Sequence, residues 1–523
     1  MPIIDGFWVS EAGEDDAAVR YPNERSSAAL AELCAAPYDL VVVGGGGAGA
    51  TAAIEAADRG ASVIILDKMS SPGGSTQESG GTVRLVKDRQ GTAEHFWHLA
   101  QKATPREVID AFVDGLAELP AWVKAHGGEL IVRSDQDIDG DFRRWVFPAR
   151  RPGTAFPNLP CADALGPRSQ MRPSRPGRTR GAAMWDFLSR NLAERAIPLV
   201  TQARVVRLVQ QFPTRSIVGV EVEAVDGTSH TLAARRGVVL ACGGFAYDPE
   251  LMLQYYGTAL PALSPPGRAT GDGIRMAMDV GADLWHMSGT STTVGYNPPE
   301  LKAGFHCRIP TYGFVMVDQR ARRYVCETDL ENHASIHAML TQDLLSGQYE
   351  RLPSFVVFDD TTRRSGILAN MDTGENRHYP WSADNSAEVE RGWIRRAASI
   401  EDLATELGLS AFSLRATIDD FNQCVHTGTT DAWGRSPETM RAIQTPPFYG
   451  AEVRPSLINT QGGPRRNAAG AILRPDGSVI PGLFGAGELG SIWNRLYPGA
   501  GNVSECLVSG RLAAQTALGC GES

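Results

Sequence analysis

Two short apolar runs bracket an alanine-rich segment near the start of the chain, and their spacing defines a unit. Tyr38–Val43 (YDLVVV) is the kind of β-branched run that forms a buried parallel strand. Residues 48–59 (AGATAAIEAADR) are strong helix formers ending at Gly60, and Ser62–Asp67 (SVIILD) is a second run closing on an acid. The pattern predicts strand, turn, helix and strand. The first turn is made of glycine: Gly44, Gly46 and Gly49 satisfy G-x-G-x-x-G. Gly44 permits the tight turn, Gly46 lets a pyrophosphate approach the backbone, and Gly49 lets helix and strand pack closely. Gly47 and Ala48 open the helix, whose free N–H groups favour phosphate. Asp67 stands where a carboxylate accepts hydrogen bonds from a ribose, so a dinucleotide site is predicted.

The remaining pattern is less regular. Residues 1–37 read as a polar lead-in, and residues 148–180 are so rich in Pro, Gly and Arg that they are expected to be largely loop. The Arg-rich part of that loop reads either as solvated surface or as a face for an anionic ligand. Composition narrows the function classes. A chain of 523 residues with 42% hydrophobic positions can bury a large interior, and two domains are expected. Its net charge of −10 argues against nucleic-acid or anionic-membrane partners. Eight scattered cysteines show no C-x-x-C, which excludes a zinc ribbon or a thioredoxin-like pair, so no metal site is expected. No basic-plus-apolar leader opens the sequence, and the longest uncharged apolar stretch, Leu40–Ile54, is short for a membrane span. These features lead to the expectation of a cytoplasmic protein with free thiols.

The segment after Asp67, KMSSPGGSTQESGG, contributes Lys68, Gly73, Gly74, Ser75, Thr76, Ser79, Gly80 and Gly81, a loop through which backbone amides can reach the middle of a long cofactor. In sequence and position it resembles the loop after the second strand in flavoproteins of the fumarate reductase/3-ketosteroid dehydrogenase family. The resemblance continues through RRGVVLACGGFAYDPELM (235–252), TGDGIRMAMDVGADL (270–284), RARRYVCET (320–328), PPFYGAEVRPSLINTQGG (446–463) and IPGLFGAGELG (480–490). It implies an α/β fold: a Rossmann-like, glutathione-reductase-like FAD-binding domain (38–285 and 436–523) interrupted by an α+β substrate-capping domain (286–435). It also implies FAD contacts at Val205, Ala241, Gly243, Gly244, Asp272, Gly487, Glu488, Asn502 and Val503. Some members attach FAD through a histidine in the loop; none lies between Ser62 and Gln90 here, so non-covalent FAD is expected. Gly485, Gly487 and Gly490 also fit G-x-G-x-x-G, but SIWNRLYPGAG follows, which neither continues a helix nor leads to a strand and acid. A second dinucleotide site is therefore not expected, and electrons are expected to pass through a separate carrier.

The chemistry implied is addition or removal of two hydrogens across a carbon–carbon bond beside an electron-withdrawing group. Two branches of the family hold the substrate oxygen differently, and this chain resembles both. NRL (494–496) is similar to the acid reductases and makes Arg495 a carboxylate candidate. YPGAG (497–501) is similar to the ketosteroid dehydrogenases and makes Tyr497 and the Gly501 amide a carbonyl clamp. Where the acid reductases carry a histidine before T-x-G-G stands Asn459, which favours a ketone or enone, steroid-like or otherwise polycyclic. The family's proton-transfer position, four residues after Glu327, is Glu331, followed by Asn332 and His333; neither the family's Arg nor its Tyr is present. Glu331 and His333 are chemically capable, with Tyr296, Tyr312, Tyr324 and His306 as further candidates. An enoate reductase, or a flavin-binding protein without this chemistry, are the alternatives.

Overall fold

The computed structural model describes residues 27–132, 147 and 156–519 apart from 225, 265, 302 and 372–378, together with the backbone pairing of Ile3–Ile4 with Phe7–Trp8. Most of the expected lead-in, and residues 148–155 of the expected loop, lie outside the described residues. The first helix of the described chain is Ser27–Cys34.

The predicted unit forms almost as read. The strands are Tyr38–Val43 and Val63–Leu66, and the helix between them is Gly47–Asp58. They sit at the centre of an eight-stranded sheet. Its path runs Ala471–Leu473, Val479–Gly485, Ser229–Leu240, Tyr38–Val43, Val63–Leu66, Leu199–Val200. All neighbours from Val479–Gly485 onward are parallel, and an antiparallel meander of Ser216–Glu223 and Arg204–Gln211 extends from Ser229–Leu240. Side chains alternate between two cores: Leu40 and Val42 face one, Val41 and Val43 the other. Burial on both faces explains why the run is continuously apolar instead of alternating. The C-terminal helix Gly501–Ala517 packs on Gly47–Asp58, close enough that a Cβ on Gly510 would lie 2.5 Å from the Ala48 carbonyl oxygen.

A second sheet is antiparallel, in the order Phe305–His306, Thr290–Tyr296, Phe448–Thr460, Ser354–Asp359, Phe314–Val317, with Ile394–Ala397 also on Phe448–Thr460. It too is covered on both faces, Val356 and Phe358 on one side, Phe355 and Val357 on the other. The 13-residue strand Phe448–Thr460 belongs wholly to this sheet.

A third sheet adds one strand to residues 148–180, expected to be largely loop. Leu165–Met171 is a strand, placed between Thr82–Val86 and Leu130–Val132. The Pro and Gly content suggested loop, yet Gly166 and Pro167 lie at a register shift where Leu165 pairs Val86 and Arg168 pairs Arg84. A bulge is where an interior strand tolerates a residue without an N–H. Farther on, Arg175 and Arg178 pair with Asp186 at 3.2 and 2.8 Å, so that part of the Arg-rich segment is tied to the protein itself. Among the described residues no helix is long and apolar enough to cross a membrane.

Candidate active site

The parallel strands end at a solvent-open cleft enclosing about 990 Å³ of empty space. The helix Gly47–Asp58 points its N-terminus into it. A Cβ on Gly49 would sit 1.9 Å from the Gly44 carbonyl oxygen, so strand and helix could not approach as they do with any other residue there. Gly46 is different: a Cβ on it would meet no protein atom closer than 4.0 Å, because the space before it is the cleft. The bare backbone of Gly46 is thus open to a ligand, and the amides of the helix start are directed at it, as the pyrophosphate of FAD requires.

Around this opening, Gly44, Gly47, Ala48, Asp67 and Lys68 line the cleft from the first strands, and Gly74, Ser75 and Thr76 from the following loop. Val205, Ala241, Gly243, Asp272 and Glu488 line it from farther along the chain. Asp67 is buried and accepts the amide N–H groups of Gly45 (2.7 Å) and Met69 (2.8 Å); burial raises its pKa. It therefore fixes the glycine turn while lining the cleft. Lys68 pairs with Asp272 at 2.7 Å. Arg268 and Thr270 also line the cleft; sequence reading missed Arg268, whose signal was its position just before the T-G-D-G motif. Arg268 donates to the Gly74 carbonyl oxygen (3.3 Å) and pairs with Glu78 at 2.6 Å.

Other expected contacts stand behind the lining. Gly73 hydrogen-bonds back to Gly45 at 2.8 Å. Ser79, Gly80 and Gly81 fold against residues 170–181: the Gly181 amide donates to the Ser79 carbonyl oxygen (3.0 Å) and Gln170 to that of Gly80 (2.6 Å). The Gly487 amide donates to the Ser509 hydroxyl at 2.8 Å. Gly244 abuts Glu488, whose carboxyl accepts the Thr460 hydroxyl at 3.3 Å; burial pushes that carboxyl up to about 7. Val503 is buried in the first turn of the C-terminal helix, and Asn502 bonds Asn459 at 2.6 Å.

The second group of candidates gathers at that helix. Tyr497 is buried, and its hydroxyl oxygen accepts the amide N–H groups of Gly501 (2.9 Å) and Asn502 (3.0 Å). Burial pushes its hydroxyl up to about 12, leaving the proton in place to be donated. His333 lies edge-on to the Tyr497 ring, 5.0 Å between centroids, and its Nδ1 is 3.3 Å from Glu331 Oε1. Burial raises the Glu331 carboxyl, but His333 and then Arg168 outweigh it, and the net direction is down. Glu331, His333 and Tyr497 are thus brought together. Arg495 is not: its side chain is exposed, and its backbone carbonyl accepts from His337 at 2.9 Å.

The remaining candidates have other partners. Tyr296 bonds Cys307 and Tyr324 bonds Ser354 inside the second sheet's core. His306 bonds Asn332 at 3.2 Å. Glu327, the acid of the R-R-Y-x-x-E segment, is fully buried between Arg323 (2.6 Å) and Arg435 (3.3 Å). Tyr312 is partly exposed and gives its carbonyl oxygen to Arg435 (2.7 Å).

Residues 39–504 match the family described as FAD binding domain. The chain is 27% identical over 560 residues to 3-oxosteroid 1-dehydrogenase of Mycobacterium tuberculosis, covering 91% of this chain and 97% of that one. It is 27% identical over 492 residues to a probable fumarate reductase of Shewanella frigidimarina, with 91% and 74% covered. The crystal structure of 3-ketosteroid delta1-dehydrogenase from Sterolibacterium denitrificans has the same fold, with a TM-score of 0.78 at 21% identity over 92% of this chain and 100% of that one. With a family match running from the first strand into the C-terminal helix, this chain belongs to the FAD-binding domain family of flavoprotein oxidoreductases.

Proposed function

We propose that the chain removes or adds two hydrogens across the carbon–carbon bond next to a ketone, on a polycyclic or steroid-like substrate. The observation that carries this reading is Tyr497: a buried hydroxyl, its oxygen already bonded to two amides of a helix N-terminus, with an imidazole at its ring edge. A phenol whose oxygen accepts N–H groups is a stronger donor, and a carbonyl oxygen gaining negative charge as an α-proton leaves is what such a donor stabilises. FAD, when bound, supplies the exchange of a hydride with the substrate carbon. The protein holds the ketone oxygen at Tyr497 and moves the proton through His333, kept in orientation by Glu331. The second sheet covers the flavin cleft as the capping unit, residues 286–460 by sheet membership.

The relatives named above, a 3-oxosteroid dehydrogenase and a probable fumarate reductase, support carbon–carbon chemistry of this class. Between the two, the ketone is favoured because Arg495 is exposed and Asn459 is spent on Asn502. A separate carrier relays the electrons, and the thiol chemistry is that of the cytoplasm. The test is an anaerobic screen of saturated ketones, α,β-unsaturated ketones and enoates, read by flavin absorbance. Saturated ketones are expected to bleach the oxidised flavin and unsaturated ketones to reoxidise the reduced flavin. Bleaching by dithionite alone sinks the reading.

A further inference from the structure

The third sheet sets two arginines against each other. In the antiparallel pairing of Thr82–Val86 with Leu165–Met171, Arg84 stands directly opposite Arg168. Side chains so paired project onto one face about 5 Å apart at Cβ, and like charges there repel. Arg84 is fully buried and donates to the carbonyl oxygens of Gly166 (3.2 Å), Pro498 (3.2 Å) and Gly499 (3.3 Å). Those three acceptors are neutral carbonyl groups.

Arg168 is half-buried, its Nε shielded from solvent, and among the described residues no side-chain hydrogen bond or ion pair holds its guanidinium. Glu331, the acid whose field reaches it, is bonded to His333 instead. A guanidinium partly withdrawn from water without an acceptor is costly to hold. Yet this one is aimed at the reactive group: a Cβ on Gly499 would lie 3.1 Å from Arg168 Nη2 and 3.2 Å from His333 Cε1. The absence of a side chain at Gly499 is what lets guanidinium, imidazole and the Tyr497 turn converge.

We infer that Arg168 binds an anionic group of the substrate, a carboxylate carried on the same molecule as the ketone. The ketone half of that statement rests on the function proposed above; the anion half rests on Arg168 alone. Tyr497 supplies the donor a ketone oxygen needs, whereas a planar, permanently charged guanidinium matches a carboxylate through two parallel hydrogen bonds. The pyrophosphate of FAD is not its partner, since Arg168 does not line the cleft at Gly46. An anion seated there also offsets the like-charge repulsion between Arg84 and Arg168.

The test uses the FAD-loaded full chain and two unreactive probes of one shape, naphthalene-2-carboxylate and naphthalene-2-carboxamide, read by perturbation of the flavin spectrum. The acid is expected to bind at least about tenfold tighter than the amide. Arg168→Gln should weaken the acid by about ten- to a hundredfold and the amide by less than about twofold, with Arg168→Lys between, as loss of a charge-assisted pair requires. Equal binding of acid and amide to the unaltered protein, a comparison that needs no variant, overturns the inference. So does an Arg168→Gln protein that folds, by its melting temperature, and loses both probes alike, which would make Arg168 a counter-charge for Glu331 only. If the acid–amide difference holds while no ketone bleaches the flavin, the ketone reading falls and the assignment of Arg168 stands. If ketones react and the probes bind alike, the reverse is true.

Discussion

The hydroxyl oxygen of Tyr497 accepts the backbone N–H of Gly501 at 2.9 Å, so the two groups expected to grip one carbonyl oxygen from either side are bonded to each other. In this arrangement the amide is spent on the phenol oxygen, which it polarises. Tyr497 is also the side chain that satisfies the first amides of the helix Gly501–Ala517, the task an N-cap residue performs elsewhere.

Tyr497→Phe therefore has two expected effects. The kcat/KM on the best ketone should fall by about 10²–10³, the usual cost of one oxyanion donor. Thermal stability should fall as well, by about 1 kcal/mol, because two helix amides lose their acceptor. Steady-state kinetics and a melting curve on the same preparation check both, and near-native turnover would remove Tyr497 from the mechanism.

Gly46→Val and Gly49→Ala should fail in different ways. The valine side chain enters the cleft, so the protein is expected to fold and lose its flavin, seen as a fall in the ratio of absorbance near 450 nm to that near 280 nm with unchanged circular dichroism. The alanine methyl collides with the Gly44 carbonyl oxygen and is expected to unfold or strongly destabilise the chain. A Gly46→Val protein that stays yellow contradicts the placement of the pyrophosphate.

Acid precipitation should release all FAD into the supernatant, since no histidine lies in the loop between Ser62 and Gln90. Yellow colour remaining in the pellet is the contrary result.

Glu488 sets a pH dependence on the flavin-free protein. Its folded pKa of about 7 exceeds its ordinary 4.5, so the folded state holds this proton more tightly than the unfolded one. The stability this contributes is fully present below about 4.5 and is lost as pH rises through about 7. Glu488→Gln cannot ionise, so the stability of the variant relative to the unaltered protein should increase from about pH 5 to about pH 8 in denaturant titrations. A difference that does not change with pH refutes the assignment.

Arg495→Gln is expected to leave both activity and stability nearly untouched, within about 0.5 kcal/mol, because its side chain is exposed. A loss of turnover confined to carboxylic acids would return Arg495 to the site and favour the enoate reading.

The nucleotide half of this molecule was legible because its determinants are local. Strand, glycine turn, helix and terminal acid lie within residues 38–67, and each residue type is dictated by its neighbours in the chain. The reactive half depends on pairings far apart in sequence. Arg168 sits in a segment whose proline and glycine content reads as loop, and only the ladder to Thr82–Val86 reveals it as a strand residue opposite Arg84. Arg495 and Tyr497 are two residues apart and share one irregular stretch, so no periodicity tells which side chain turns inward; burial in the aromatic cluster with Trp493 selects Tyr497. Likewise the 13-residue strand Phe448–Thr460 looks continuous with the chain that follows it, and only its partners assign it to the second sheet.

That strand has a mechanical consequence. It is the spine of the second sheet, hydrogen-bonded to Thr290–Tyr296, Ser354–Asp359 and Ile394–Ala397, and its last residue, Thr460, donates to Glu488 and accepts the amide of Phe245. The spine of the second sheet therefore ends in direct bonds to the wall of the cleft, at Glu488 and beside the Gly243–Gly244 turn. A displacement of that strand would be carried straight into the cleft wall, because one stretch of backbone belongs to both.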